Sequence, residues 1–476
     1  MVKVLFLQRD SYECFGVMYL SAYISQSGHE AEVLIEAEEG KQFFSKISKI
    51  NPDIIAFSLM SGLHDWAIER AKEIKRRFNI HIIAGGPHCA FFPEFVENEG
   101  VDAVCRGEGE DALLEYLSIF DKKGDLTNIP GWWVKTSKAI IKNEVYPLRS
   151  DLDTLPFPDR DIYRRRYPFL VSNTCCEVLV ARGCPYSCSF CYNQKLKSIY
   201  AGKGQYVRRS SVNRVIEEIK NFRQRYGKGL KWVAFVDDLF IMDRQWLRDF
   251  LSIYKKEIQL PFGCGLRANL IDEELVSMLK EASCRATSFG VESGDSELRN
   301  RVLNKNVTDE QVIAAGELLD RYGIRFSAFN MFNIPGEDLA RAQKTVDLNL
   351  RIRSHNYPWS GLLQPYRGTQ IFDLADELGM IPEGETGADL FHHASLIQKD
   401  TEKLKQLNAY FYWMIRLPWL RPILMWLIEH PCGIISKLSL LLTSFHRYVA
   451  LMYPFEGNAA FIMAIKNGIK RLKAYI

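Results

Sequence analysis

Cys184-Pro185-Tyr186-Ser187-Cys188-Ser189-Phe190-Cys191-Tyr192-Asn193 sets three thiols at positions i, i+4 and i+7. That spacing is also one face of a helix, and cysteine often serves as a small buried hydrophobe. The flanks argue otherwise. Glu177-Val178-Leu179-Val180-Ala181 reads as a strand that stops at Arg182-Gly183. Pro185 then falls inside the would-be helical repeat, where it lacks an N–H and holds Cys184 in an extended conformation. The pattern predicts a loop at the carboxyl end of a strand, with the thiols able to converge on one ligand.

Thiolates select zinc, copper or iron–sulfur clusters. A structural zinc site needs four closed ligands, usually in two half-sites. The chain offers neither a second CxxC nor an HxxxH. Three cysteines on one loop suit a four-iron cluster with three irons held by protein and one left open. Zinc and inert buried thiols remain the competing readings.

The remaining 476-residue sequence bounds the setting. Its length predicts two or three domains with substantial cores. The net charge of +3 implies no nucleic-acid field. Eleven scattered cysteines do not read as a disulfide framework, and no secretory signal precedes the strand-like Val2–Leu7. A reducing cytoplasm is expected.

Residues 1–125 alternate strand and helix patterns, which predicts a parallel, doubly wound, Rossmann-like sheet. Ligands on such sheets bind beyond the carboxyl ends of the strands. The loops there include Gly85-Gly86-Pro87-His88 and Arg106-Gly107-Glu108-Gly109-Glu110. Paired glycines let backbone approach a flat or phosphate-bearing ligand, although glycines also simply end strands. No GxGxxG opens the first helix, so a dinucleotide is not expected. Residues 126–173 read as a hairpin around Trp132 and Trp133, then a Pro-rich strap through Pro156 and Pro158.

Residues 174–382 alternate strand and helix again, in about six units. Polar clusters close the strands: Asp237-Asp238, Arg267-Ala268-Asn269, Glu292-Ser293-Gly294, Asn333–Glu337 and Pro365-Tyr366-Arg367-Gly368-Thr369. In βα barrels, chemistry sits at that face. Residues 383–476 shift in composition. Tyr410–Ile428 and Ile434–Tyr453 are apolar but broken by Arg416, Pro418, Arg421, Lys437 and Arg447. They predict amphipathic helices that form a buried cap or lie in a membrane interface, not spans. Lys466, Lys470, Arg471 and Lys473 would add a weak pull toward anionic lipid.

The order of these parts resembles the cobalamin-binding radical S-adenosylmethionine (SAM) enzymes. The cysteine loop resembles their CxxxCxΦC signature, with Phe190 as the aromatic. The resemblance covers about residues 1 to 385 and implies an N-terminal Rossmann-like cobalamin domain, a partial (β/α)6 barrel and a helical C-terminal segment. It implies a [4Fe-4S] cluster on Cys184, Cys188 and Cys191, with SAM on the open iron. Cobalamin would lie by Gly85, Gly86, His88, Gly107 and Gly109, with its tail off the metal. The AspxHisxxGly motif that supplies cobalt with histidine elsewhere is absent. Phe190, Tyr192, Glu292, Ser293 and Arg367 become candidates for SAM. Asp237 and Asp238 are candidates for SAM or substrate chemistry.

The activity so implied is C-methylation of an unactivated carbon in a small-molecule, lipid or peptide substrate, with electrons from a flavodoxin or ferredoxin. Cyclisation, oxidation or rearrangement without methyl transfer is the alternative. An Fe–S and corrinoid sensor is the remote one. The expected location is the cytoplasm, with room for peripheral membrane contact through the C-terminal segment.

Overall fold

A computed structural model describes residues 1–172, 174–227, 229–382, 396–457 and 460. Lys466, Lys470, Arg471 and Lys473 lie outside them. The chain divides into two compact units, residues 1–172 with 195–208, and residues 173–194 with 209–476.

The first unit is built on a seven-stranded sheet: β1 (Lys3–Gln8), β2 (Glu30–Ile35), β3 (Ile54–Ser58), β4 (His81–Gly85), β5 (Ala103–Cys105), β6 (Trp132–Lys135) and β7 (Ile140–Lys142). Their order is β2-β1-β3-β4-β5-β6-β7. The first five run parallel, because helices α1 (Phe15–Ser25), α2 (Phe43–Ile50) and α3 (His64–Phe78) carry the chain back between them. Continuous apolar runs such as Val4-Leu5-Phe6-Leu7 are buried on both faces, as a covered parallel sheet requires. Helix α4 (Glu110–Asp121) follows β5, and the β6–β7 hairpin joins the edge antiparallel. Trp132 is a core residue there, its indole N–H donating to the Ala112 carbonyl at 2.9 Å.

The second unit holds a six-stranded parallel sheet: β8 (Cys175–Val178), β9 (Trp232–Phe235), β10 (Phe262–Leu266), β11 (Cys284–Glu292), β12 (Arg325–Phe332) and β13 (Trp359–Leu362). The strands lie side by side in chain order, which makes an open half-barrel. Between them run α5 (Val212–Tyr226), α6 (Arg244–Glu257), α7 (Glu273–Glu281), α8 (Asp309–Arg321) and α9 (Leu339–Arg351), with α10 (Gln370–Glu377) after β13. Each of the five crossover helices starts on a side-chain cap: Ser211, Asp243, Asp272, Thr308 and Asp338. These oxygens satisfy orphan N–H groups and fix where each strand-end loop stops. Strand residues Val233, Phe235, Phe262, Leu266, Phe289, Val291 and Phe326 form one core with the helices.

The C-terminal segment forms α11 (Thr401–Arg416), α12 (Arg421–Glu429) and α13 (Gly433–Glu456). The break between α11 and α12 falls at Pro418, which cannot donate and bars the preceding residue from helix. Helix α11 is a buried cap element: Leu404, Leu407, Tyr410, Phe411 and Met414 pack on Phe332, Ala342 and Val346. No helix among the described residues is long and apolar enough to cross a membrane.

Candidate active site

The cysteine loop leaves β8 under tight backbone control. One Asp237 carboxylate oxygen, just past β9, accepts from the Val180 and Ala181 N–H groups at 2.9 and 2.6 Å. Gly183 then turns with φ of 84°. Four further bonds occupy the loop backbone and Ser189. The Ser189 N–H donates to Leu303 at 3.1 Å, its hydroxyl to Val302 at 2.6 Å, Asn304 to the Ser187 carbonyl at 2.7 Å, and the Ile371 N–H to the Ser189 carbonyl at 3.2 Å. Cys188 is buried, and Cys184 and Cys191 are half-buried.

Donors approach two of the sulfurs, while burial pushes the Cys191 thiol up. A guanidinium nitrogen of Arg267 lies 3.7 Å from Cys188 Sγ, and Asn193 Nδ2 lies 3.5 Å from Cys191 Sγ. The same guanidinium stacks 3.7 Å over the Tyr186 ring and donates to the Lys305 carbonyl. Among the described residues, no three His, Cys, Asp or Glu side chains close on a single metal ion. A cubane asks for something else: three thiolates, each on its own iron. A soft donor set on one loop, without carboxylate or imidazole, fits that group and not a hard cation.

The other strand ends supply polar atoms. Asp238 accepts from Tyr192 Oη at 3.1 Å and Asn193 Nδ2 at 2.9 Å, so it pins the end of the cysteine loop. Tyr192 is exposed at the rim. Phe190 packs with Met331, Leu298 and Leu363. Glu292 ends β11 in left-handed backbone, φ 67°, a conformation costly for a non-glycine residue. Its carboxylate meets Lys305 Nζ at 2.6 Å. The pair occupies the space above Gly290, where a Cβ would overlap both side chains. Ser293 is fully buried, its hydroxyl accepting from the Asp295 N–H and its carbonyl from Arg299. Gly294 presses on the α9 backbone at Lys344. Arg367 lies at the surface.

Among the described residues, five buried polar atoms at these strand ends have no partner: Asp237 Oδ2, Arg267 Nε, Asn269 Oδ1, Glu337 Oε1 and Gln364 Oε1. Native proteins rarely leave such groups unmet, since each costs on the order of 1–3 kcal/mol. They come from the loops after β9, β10, β12 and β13, all on the edge that carries the thiols. A ligand with amino, carboxylate and hydroxyl groups would satisfy them. Burial pushes the Asp237 carboxyl up to about 7 and Glu337 up to about 8, so both hold protons in reach of neutral pH. Arg267 and Glu337 belong to strand-end clusters read from the sequence without a role, and Lys305 stands outside every cluster read there. Lys305 carries no local signal, for only the fold brings it to Glu292.

In the first unit, the strand-end glycines serve close backbone approach. Gly86, φ 93°, lies so near Leu59 that a Cβ would sit 2.8 Å from its nitrogen. Gly107, φ 106°, faces the Tyr200 hydroxyl, which accepts from the Glu108 N–H. Gly85 lies against Cys105 and Gly109 against Leu20. His88 is buried, stacked between His64 at 4.7 Å and Phe92 at 4.8 Å, with Ser61 Oγ 3.2 Å from its Nδ1. Burial pushes it down to about 3, so it stays neutral. Neither histidine is presented outward at this edge, whereas Met60 is exposed on the loop after β3. An exposed apolar side chain at this edge would offer contact to a flat corrin ring.

A model of the radical SAM superfamily matches residues 178–348, and one of the B12 binding domain matches residues 11–117. The chain belongs to the cobalamin-binding radical SAM enzymes. Its cofactors are a [4Fe-4S] cluster, SAM and cobalamin. An uncharacterized methyltransferase of Pyrococcus horikoshii is 28% identical over 374 residues, 76% of this chain and 78% of that one. The anaerobic magnesium-protoporphyrin IX monomethyl ester cyclase of Rubrivivax gelatinosus is 25% identical over 379 residues, 76% and 66% of the two chains. Among solved structures, the radical SAM methyltransferase TsrM of Kitasatospora setae, with cobalamin and a [4Fe-4S] cluster bound, gives a TM-score of 0.68 at 16% identity, over 95% of this chain and 99% of that one. At that identity the likeness is one of fold.

Proposed function

We propose that this radical SAM enzyme is a C-methyltransferase acting on an unactivated carbon. The observation that carries the reading is the set of five unpartnered buried polar atoms on the edge bearing the thiol loop, in a chain that also holds a B12 binding domain. When bound, the three cofactors supply reductive cleavage of SAM and carriage of its methyl group. The chain's own residues do the rest. Cys184, Cys188 and Cys191 would hold the cluster, with Arg267 donating toward the Cys188 sulfur. Asp237, Asn269, Glu337 and Gln364 offer acceptors to the ammonium and ribose hydroxyls of SAM. Lys305 orients Glu292 across the same edge. Phe190 and Tyr192 offer rings to adenine. Fixing reactants in this way converts an encounter into an intramolecular step.

Support for a methyl outcome comes from relatives named as methyltransferases, and the cyclase relative favours a second reading without methyl transfer. Anaerobic reconstitution of the full chain with dithionite and SAM separates them by mass spectrometry. S-adenosylhomocysteine together with 5′-deoxyadenosine supports methyl transfer. 5′-Deoxyadenosine alone supports the second reading. A low-potential flavodoxin or ferredoxin would serve as electron donor in a reducing cytoplasm. Peripheral membrane contact would use the exposed Trp419, Ile423, Trp426, Ile434 and Leu438 of the C-terminal helices.

A further inference from the structure

The inner face of the half-barrel is unlike a filled barrel core. Alternate residues of its strands pack on the helices. Their neighbours face the other way, and in the middle strands these are small: Gly263 and Gly265 on β10, then Ala286 and Ser288 on β11, while Glu292 and Lys305 fill the space above Gly290. Barrel interiors are ordinarily filled by branched side chains. Here the floor is left low, and large apolar groups stand around it. Val236 is 42% exposed, Phe329 37% and Trp359 43%. Register puts Val236 beside Gly265, since Phe235 pairs with Cys264, and puts Gly290, Phe329 and Trp359 in one row. The Trp359 ring lies over Gly361 and meets Phe329 edge-on at 5.8 Å. These are exposed aromatic groups inside a domain, not on its outer surface.

Helix α13 closes the amino end of this bay. Phe455 stacks on Trp232 at 4.5 Å and lies over Gly263. Glu456 accepts from Trp232 Nε1 at 2.9 Å and Lys231 Nζ at 3.0 Å. Arg325, at the start of β12, turns its guanidinium to the Ala450 carbonyl, so its charge is spent on the floor. The inner-facing charges on the strands are then Glu177 on the edge strand and Glu292, already paired with Lys305. The open end is the carboxyl edge, where Phe190 of the thiol loop packs beside Met331.

We infer that the bay takes a hydrocarbon-rich lipid, of isoprenoid or acyl class, whose body lies on the small residues Gly265, Ala286 and Ser288 against Phe329 and Trp359. The inference rests on the methyltransferase reading for the chemistry but not for the fit. A small zwitterion would leave this apolar wall wet and gain nothing from it. A lipid would bury it, at about 25 cal/mol per Å². The helix that floors the bay also exposes Ile434, Leu438 and Leu442 outward, which gives such a substrate an apolar surface to arrive from.

The test uses the reconstituted full chain and cis-parinaric acid, a polyene fatty acid that fluoresces on entering an apolar site. Saturable binding is expected, weakened at least tenfold by Phe329→Ser with Trp359→Ser. Leu378→Ser, at an exposed position just after α10, should leave it within twofold. Gly265→Val fills the floor without removing a ring and should weaken binding as much, with iron content and circular dichroism reporting an intact fold. Absence of saturable binding, indifference to all the inner-face substitutions, or displacement by free tryptophan would overturn the lipid assignment. The two readings fail separately. SAM cleaved without S-adenosylhomocysteine refutes methyl transfer and leaves the lipid standing. S-adenosylhomocysteine formed on a polar substrate, with parinaric acid unbound, does the reverse.

Discussion

Lys305→Met tests the arrangement of the site where it is most exposed to failure. The Lys305 and Glu292 side chains are each 9% exposed and meet at 2.6 Å. Removing one partner strands a buried charge, which costs about 3–5 kcal/mol. The stranded carboxylate has little to turn to, because it already sits in left-handed backbone over a glycine. The loss should spread locally: the Lys305 carbonyl accepts from Arg267, and Leu303 accepts from Ser189 of the thiol loop. A two-unit chain does not license one global unfolding energy, so hydrogen exchange by mass spectrometry is the better assay. Peptides spanning 284–305 should exchange roughly 100- to 4,000-fold faster, since each 1.4 kcal/mol is tenfold. The double variant Glu292→Met with Lys305→Met removes both charges and should recover most of that protection. Reconstituted iron should fall in the single variant and return in the double. An acceleration under tenfold, or a double variant no better protected than the single one, would refute the view that this pair braces the site.

Three further outcomes follow from the same geometry. Asp237 binds its proton more tightly folded, about 7, than unfolded, near 3.8, so its stabilising effect is full below pH 4 and is lost as pH rises through 7; Asp237→Asn should flatten the pH dependence of hydrogen-exchange protection, corrected for intrinsic exchange, in peptides spanning 175–181 between pH 4 and 8. Arg267→Met removes a buried cation beside Cys188 and should shift the midpoint potential of the reconstituted cluster downward by tens of millivolts in an EPR titration, and an unmoved potential would show the guanidinium to be packing only. Gly107→Ala forces a Cβ into the Tyr200 hydroxyl at positive φ and should destabilise the first unit by about 1–3 kcal/mol, with Tyr200→Leu in the same chain relieving the overlap but not the backbone strain.

What the sequence disclosed, and what it hid, divides by range. Most strands of both sheets were legible as short apolar runs between turn residues, although β8 lies at Cys175–Val178, two residues before the run read as Glu177–Ala181, and the stop at Arg182-Gly183 together with Pro185 argued against a helix at the thiol loop. Strand-end placement of Asp237, Asn269 and Glu337 was legible for the same reason, since loop positions follow from strand ends. Partners were not. Lys305 lies 13 residues beyond Glu292 and reaches it only because the π-helical turn at Leu298–Val302 doubles the chain back. Gly107 owes its lack of a side chain to Tyr200, 92 residues from the Glu108 amide that it also meets. Ser293 reads as a ligand in a motif and is spent on Asp295 and Arg299. The C-terminal tract shows the deeper reason. Its composition suits a core or an interface equally, because burial and exposure of Trp and Leu differ only in what packs on them. The fold uses the ambiguity. Helix α11 is buried, while α13 turns Phe455 into the half-barrel and Ile434 toward solvent. One helix thereby couples the floor of the site to the surface, so a substitution at either end of α13 should be felt in the bay.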